Sequence, residues 1–376
     1  MEKLRINCFG DFKCDNVEHL RLSETMFNLI KSADINLLNF EAPIKDNHSF
    51  PIKKSGPNIC QDPKAPEWLE KHGFNVFALA NNHFYDYGVS SCRKTIEAFN
   101  DSSILVGAGN WDEAYKLKIC QIADIKIGFL SATHCEFGTL TDPYDKSQIG
   151  SAWICHPQIV QAIIDAKKEV DKLIFIAHAG IEYLDYPLPE WREVYRSFVR
   201  LGCDAVVASH THVPQGWEIY KGCPICYSLG NFCFDLRSKS NHDYWNDGLV
   251  ATIDIDNRGK ISLSVHALVY NKHTLSLNDD DEEMKIHLEE ICRILNEDTN
   301  TYVKIINQTA DDLWREYCNL FTRSGFIKNI FSVGFLKGIG DWIKMGDMFN
   351  KTHVLNNIQC ESHRWMIQRA LNKRII

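Results

Sequence analysis

Up to about Leu275, apolar residues fall into short strand-length runs separated by amphipathic stretches, and several of these runs end in a polar side chain. LRINCFGD, Leu4 to Asp11, alternates and closes on Gly10-Asp11. This predicts a strand carrying a carboxylate to its C-terminal end, although Gly-Asp alone is ordinary turn chemistry. A helix capped by Ser23 follows to about Ser32. DINLLNFEAP predicts a second buried strand ending in Asn39, Glu41 and Pro43. A glutamate just beyond so apolar a run is costly to bury unless it is paired or bound to a cation. Residues 62–73 read as a short helix stopped by Gly73, and FNVFALA as a strand running into NNHFYDYG. There Asn81, Asn82, His83 and Asp86 crowd the turn before a helix over 89–100, which is more polar chemistry than a turn requires.

The same pattern recurs downstream. IKIGFLSAT (125–133) is a strand, 157–170 a helix, and LIFIAHAGIEY (173–183) a strand ending at His178, with Gly180 and Glu182 just beyond. After a helix over 189–201, AVVASHTHVPQ (205–215) ends in His210 and His212. Side chains at i and i+2 share a face of extended chain, so these two histidines are expected to converge beyond the strand end. PICYSLGNFCFD is expected as one strand finishing near Asn231 and Asp235, and LVATIDID with ISLSVHALVY as a hairpin turning at Asn257-Arg258-Gly259. Strand ends of this kind lie along one edge of a sheet, which gathers the polar groups.

After Leu275 the pattern changes. NDDDEEMKIHLEEICRIL predicts an acidic helix start and a buried face of Ile286, Ile291, Ile294 and Leu295, and the remainder reads as mostly helical. The expected division is a first domain, 1–274, and a helical extension, 275–376. Within the extension, 321–342 mixes glycines, lysines and aromatics. That mixture suits peripheral association with a membrane surface, but a helical hairpin packed on the first domain or on a partner subunit is the favoured reading.

Composition narrows the class. A chain of 376 residues with 45% hydrophobic content can bury a sizeable core, and a net charge of −8 argues against a general nucleic-acid binder. No apolar run reaches the ~20 residues of a spanning helix, and no export signal is read at the start, so a cytoplasmic protein is expected. The 14 cysteines are scattered through predicted elements and read as buried free thiols. Cys223 and Cys226 form a C-x-x-C, but a strand pattern follows where a redox motif would begin a helix.

Asp11, Glu41, Asn82, His178, His210 and His212 supply oxygen and imidazole donors without a thiolate. Such a set suits Mn, Fe, Zn or Mg, and six donors suffice for one or two divalent ions. A shared carboxylate, Glu41 in this reading, would hold two ions roughly 3.5 to 4 Å apart and let them activate a water near neutral pH. No nucleophile elbow, phosphate loop or dinucleotide fingerprint competes.

The motifs Gly10-Asp11, NFEAP (39–43), ANNHFYDYG (80–88), GAG (107–109), HAGIEY (178–183), SHTHVPQ (209–215) and SLGNFCF (228–234) together resemble the CapA-type capsule-synthesis proteins. That family is associated with poly-γ-glutamate and has a calcineurin-like metallophosphoesterase fold. The resemblance covers about residues 4–270 and implies an α/β protein, a four-layer α/β/β/α sandwich with its site at strand ends. Carried over by motif, Asp11 and His212 would hold a first metal and Asn82, His178 and His210 a second, with Glu41 bridging. His83 would act as acid or hydrogen-bond donor, Asp86 would orient it, and Glu182 and Asn231 would face the substrate. Two positions depart from the pattern: Lys13 stands where metallophosphoesterases have the histidine of D-x-H, and Ala179 where relatives commonly carry tryptophan. The membrane anchor common in the family is also missing. The expected function is a metal-dependent hydrolase acting, through an activated water, on an acidic capsule or envelope polymer or its precursor. Lys13, Lys53 and Lys54 would contact its carboxylates, and capsule-synthesis proteins would be partners. The rival readings are a phosphoesterase and a non-catalytic scaffold of a capsule-synthesis complex.

Overall fold

Alternation along the central strands sorts side chains into layers in a computed structural model that describes residues 3–236, 243–321 and 352–375. On β1 (Leu4–Lys13), Leu4, Ile6 and Cys8 face a second sheet, while Phe9 and Phe12 face helices α1 (Glu24–Lys31) and α2 (Ala65–Lys71). On β3 (Ile35–Phe40), Ile35 and Leu37 take the first role and Leu38 and Phe40 the second. Across the interface, β11 (Lys172–His178) turns Ile174 and Ile176 inward, and Leu173, Phe175 and Ala177 toward α5 (Pro157–Ala166) and α6 (Pro189–Leu201). Strands that are apolar on both faces must be covered on both faces, and the result is helix, sheet, sheet, helix. Each fully buried Phe, Leu or Ile side chain contributes roughly 1.5–3 kcal/mol to this packing.

The first sheet runs β2 (Arg21–Leu22), β18 (Thr274–Leu277), β17 (Ile261–Asn271), β16 (Asp247–Ile255), β1, β3, β4 (Val76–Ala78), β5 (Ile104–Val106), with β15 (Asn231–Phe234) added against β1. The second runs β13 (Trp217–Tyr220), β14 (Cys223–Cys226), β12 (Ala205–Ser209), β11, β8 (Ile125–Thr133), β7 (Lys118–Ile122). A small sheet of β6 (Ala108–Gly109), β10 (Gly150–Ala152) and β9 (Thr139–Leu140) stands beside them. The inner strands β1, β3, β4 and β5 are parallel, as are β8, β11, β12 and β14. Their C-terminal ends therefore open on one mouth. Helix α3 (Gly88–Glu97) covers the first sheet, and α4 (Trp111–Ala114) packs on β6 and β10.

Two expectations are corrected. PICYSLGNFCFD is not one strand: β14 belongs to the second sheet and β15 to the first. The chain crosses between them at Ser228–Gly230, where Gly230 has φ +62. On α7 (Glu282–Glu297) the buried stripe is Met284, Leu288, Ile291, Ile294 and Leu295, whereas Ile286 is 63% exposed. Residues 284, 288, 291 and 295 follow the 3.6-residue period, and 286 falls between them, off the stripe. Helix α8 (Thr299–Phe321) and the helix Glu361–Ile375 pack on each other. Tyr302, Ile306, Met366 and Ala370 share one apolar cluster with Phe175 and Trp191, so residues after 275 help cover the second sheet. The segment 321–342 lies outside the described residues, apart from Phe321. Among the described residues, no helix is long and apolar enough to cross a membrane, and thirteen cysteines are free thiols.

Candidate metal and catalytic site

Asp11 reaches the mouth because β1 is irregular. The pairing of β1 with β3 shifts register between Cys8 and Asp11, so that Asp11 leaves the helix-facing side its odd position would dictate. Gly10 makes this possible: a Cβ there would lie 1.9 Å from the Gly230 carbonyl oxygen. The Asp11 amide donates to that same oxygen at 3.0 Å, and Asp11 stands opposite Asn231. Glu41 follows β3, and Ala42 beside it has φ +80. Asn81 and Asn82 follow β4, and His178 closes β11. His210 and His212 converge by a different geometry from the extended chain expected. They lie beyond β12 at φ +104 and +60, in a region that non-glycine residues rarely occupy. Their rings still come to 6.2 Å, and Asp11 Oδ2 accepts from the His210 amide at 2.9 Å, holding the turn.

The side chains interlock. Asp11, Glu41 and His178 bring ligand atoms within 4.8 Å of one another. His178 Nε2 lies 3.0 Å from Asn82 Oδ1 and 3.1 Å from His210 Nδ1. His212 Nδ1 lies 3.7 Å from Asp11 Oδ2 and 2.9 Å from Asn231 Oδ1. Asn39 donates to Asp11 Oδ1 at 2.7 Å. Burial alone would raise Asp11, but the attraction of His178 and His212 outweighs it and brings its pKa down to about 2. Burial, then Asp11, Glu182 and Asp86, push Glu41 well above the carboxylate range. Burial also lowers His178, and burial with His134, His178 and His212 lowers His210 well below the usual imidazole value. Imidazole nitrogens surround a carboxyl group whose Oε1 is buried without a hydrogen-bond partner. A divalent cation supplies what that oxygen and those nitrogens lack, so the residues fit one.

Beside the cluster, His83 Nδ1 lies 2.7 Å from Asp86 Oδ2. A carboxylate only accepts, so this shorter contact puts the proton on Nδ1, with Lys54 Nζ 3.0 Å from the same nitrogen, and Nε2, 3.9 Å from Glu41 Oε1, faces the cluster. Asp86 also pairs with Lys54 and accepts from the Ile59 amide at 2.8 Å, fastening the loop that carries Lys54. Glu182 is exposed at the rim, close enough to act on Glu41. Lys53 is exposed. Lys13 points elsewhere, its ammonium paired with Asp15 and donating to the Asp235 carbonyl at 2.7 Å. The Asn231 amide is committed to His212 and to the Trp245 carbonyl, 2.9 Å away.

The family model described as Bacterial capsule synthesis protein PGA_cap matches residues 13–236, more than half of the chain. The chain belongs to that family. It is 31% identical over 215 residues to the capsule biosynthesis protein CapA of Bacillus anthracis, covering 55% of this chain and 52% of that one. It is 28% identical to the PGA biosynthesis protein CapA of Bacillus subtilis, covering 55% of each. The chain thus spans about half the length of the curated relatives it matches. Among solved structures, the NAD nucleotidase of Haemophilus influenzae is similar at 12% identity, with 77% of this chain and 62% of that one covered and a TM-score of 0.40.

All of the family's ligand-type residues named above except Asp11 fall inside the matched span. The sequence reading missed a neighbouring group. His134 follows β8 at the same mouth, its ring 4.4 Å from that of His210, and its Nε2 lies 3.1 Å from Glu136 Oε1. IKIGFLSATH obeys the same rule as the other strands, an apolar run ending in a histidine, so His134 was findable by applying it once more. Cys360, Glu361, Ser362 and His363 also reach this spot from beyond the family match, and nothing local in their sequence points there.

Proposed function

We propose that this family member is a metal-dependent hydrolase acting on a bacterial capsule or envelope polymer, poly-γ-glutamate or a polysaccharide, or on its precursor. The observation that carries this reading is the buried, unpartnered Glu41 Oε1 among Asp11, His178 and the neutral His210. In this reading Asn82, His178 and His210 hold one divalent ion, Asp11 and His212 a second, and Glu41 both. When bound, such ions polarise the scissile group and activate water. With Nδ1–H held by Asp86, His83 Nε2 would take up a proton as the water is activated and pass it to the leaving group, Asp86 stabilising the imidazolium in between. Lys54 pairs with Asp86, and Lys53 and the rim residue Glu182 meet the substrate. Asn231 acts by orienting His212.

The name of the Bacillus subtilis relative supports poly-γ-glutamate, and residue 13 supports amide over phosphoester cleavage. Lys13 is tied to Asp15 and Asp235, so no histidine or substitute completes the Asp11 limb. An ion there should be the labile one, and amide cleavage needs only one firmly held Lewis acid and a proton donor. An assay of a γ-glutamyl peptide and an aryl phosphate across manganese and zinc titrations tests this. Peptide turnover with weak phosphatase activity is expected. Robust phosphatase activity with an inert peptide would overturn the amide preference, and inactivity toward both at full metal occupancy would favour the scaffold.

A further inference from the structure

Two residues from beyond the family match, Cys360 and His363, join Glu136 in a second kind of ligand set at the edge of the mouth. Glu136, Cys360 and His363 place one ligand atom each within 4.8 Å of one another. His134 lies against them, with Nδ1 3.6 Å from Cys360 Sγ and Nε2 3.1 Å from Glu136 Oε1. His134 is fully buried, and the Glu136 contact lacks hydrogen-bond alignment, which leaves Nε2 without a hydrogen-bond partner. Cys360 is likewise fully buried. Supporting contacts already fix these side chains: Tyr317 Oη lies 2.8 Å from His363 Nδ1, which leaves Nε2 as the ligand nitrogen. Ser362 Oγ lies 3.2 Å from His134 Nδ1 and accepts from Trp191 Nε1 at 2.8 Å. Glu361 accepts from the Cys135 amide at 2.9 Å and from Trp153 Nε1 at 2.6 Å.

We propose that Glu136, Cys360 and His363 form a three-residue zinc site, distinct from the Glu41 cluster and flanked by His134, tying the helix Glu361–Ile375 to the loop after β8. The donors decide the metal. Thiolate, imidazole and carboxylate together suit zinc, which takes three such protein ligands with a fourth position left to water, whereas the thiolate-free set around Glu41 accepts harder ions as well. Zinc binds sulfur as thiolate, so the Cys360 sulfur would be its soft ligand. The bound ion fastens the extension beside His210, through His134, and thereby fixes one wall of the mouth.

Cobalt(II) tests this, because a thiolate ligand gives a near-ultraviolet charge-transfer band that the histidine and carboxylate site cannot give. Chelator-treated full-length protein titrated with cobalt should show the band, reaching the intensity of one thiolate-bound ion per chain once all sites are filled. The His210→Ala, His212→Ala double variant should keep it, which separates this site from the proposed catalytic one. Cys360→Ser should lose it, and Glu136→Gln, which preserves shape, should weaken cobalt binding at least tenfold while leaving the far-ultraviolet circular dichroism unchanged. Cobalt bound without the band in the parent protein, or a band that survives Cys360→Ser, overturns the proposal. So does a double variant whose melting temperature does not rise with added zinc.

Discussion

Gly10→Ala is the smallest change that reaches the whole mouth. The new methyl would sit 1.9 Å from the Gly230 carbonyl oxygen and 2.8 Å from its carbon, both backbone atoms that no rotamer change can move. To reach the 3.0 Å that real Cβ atoms respect, β15 must retreat by about 1 Å at the carbonyl oxygen. That retreat stretches the 3.0 Å hydrogen bond from Asp11 and displaces Asn231, which orients His212. Overpacking costs about 1–3 kcal/mol and a weakened buried hydrogen bond roughly 1 kcal/mol more, so a loss of about 2–4 kcal/mol is expected. At roughly 2–4 °C per kcal/mol, the melting temperature should fall by about 4–16 °C. Metal affinity should drop ~10–100-fold, the scale for a disturbed orienting partner. Calorimetry and a metal-binding titration measure both. Gly222→Ala is the control: no atom lies within 4 Å of its Cβ, and only its φ of +82 opposes the change, at about 1–2 kcal/mol. If Gly10→Ala melts like Gly222→Ala and binds metal like the parent, the account of how Asp11 is aimed is wrong.

Other outcomes are expected elsewhere. His83→Ala should leave metal content unchanged and lower turnover by ~10²–10⁴-fold; a parallel loss of metal, by elemental analysis, would make His83 a ligand. Burial would raise Glu218, but hydrogen bonds from Arg196, Arg192 and Tyr227 hold it down at about 2 from its ordinary 4.5. That stability, of the order of 3 kcal/mol, is fully present above about pH 4.5 and is lost as the pH falls through about 2. The melting difference between parent and Glu218→Gln should therefore shrink across that window, and a pH-independent difference would refute the linkage. On α7, Leu288→Ala should cost about 2–4 kcal/mol in urea unfolding, while Ile286→Lys should lie within roughly 0.5 kcal/mol of the parent; the reverse ranking would restore the face first expected.

The layered fold was legible because buried parallel strands leave continuous apolar runs, and each run announced its end with a polar residue. The convergence of the ends was legible too, but its local geometry was not. The register shift before Asp11 and the left-handed turns at His210 and His212 depend on Gly10 meeting Gly230 and on an Asp11 carboxylate far away in sequence. PICYSLGNFCFD looked like one strand because periodicity records burial, not which sheet does the burying. Cys360 and His363 carried no signal at all, since a histidine three residues after a cysteine in a helix-rich stretch is unremarkable until Glu136 is seen beside it.

The pairing of Asp11 with Asn231 spans 220 residues of chain. During synthesis at roughly 5–20 residues per second, the ribosome takes roughly 10–45 s to travel from one to the other. β3 and β4 can join β1 early through their helical crossovers, but the opposite edge of β1 waits for β15 and β16. For that interval an apolar central strand presents an unpaired edge, a template for pairing with another nascent chain. The carboxylate that is translated first is thus among the last groups of the mouth to be seated, and yield in the cell should respond to chaperone supply and to slower growth temperature more than the stability of the finished fold would suggest.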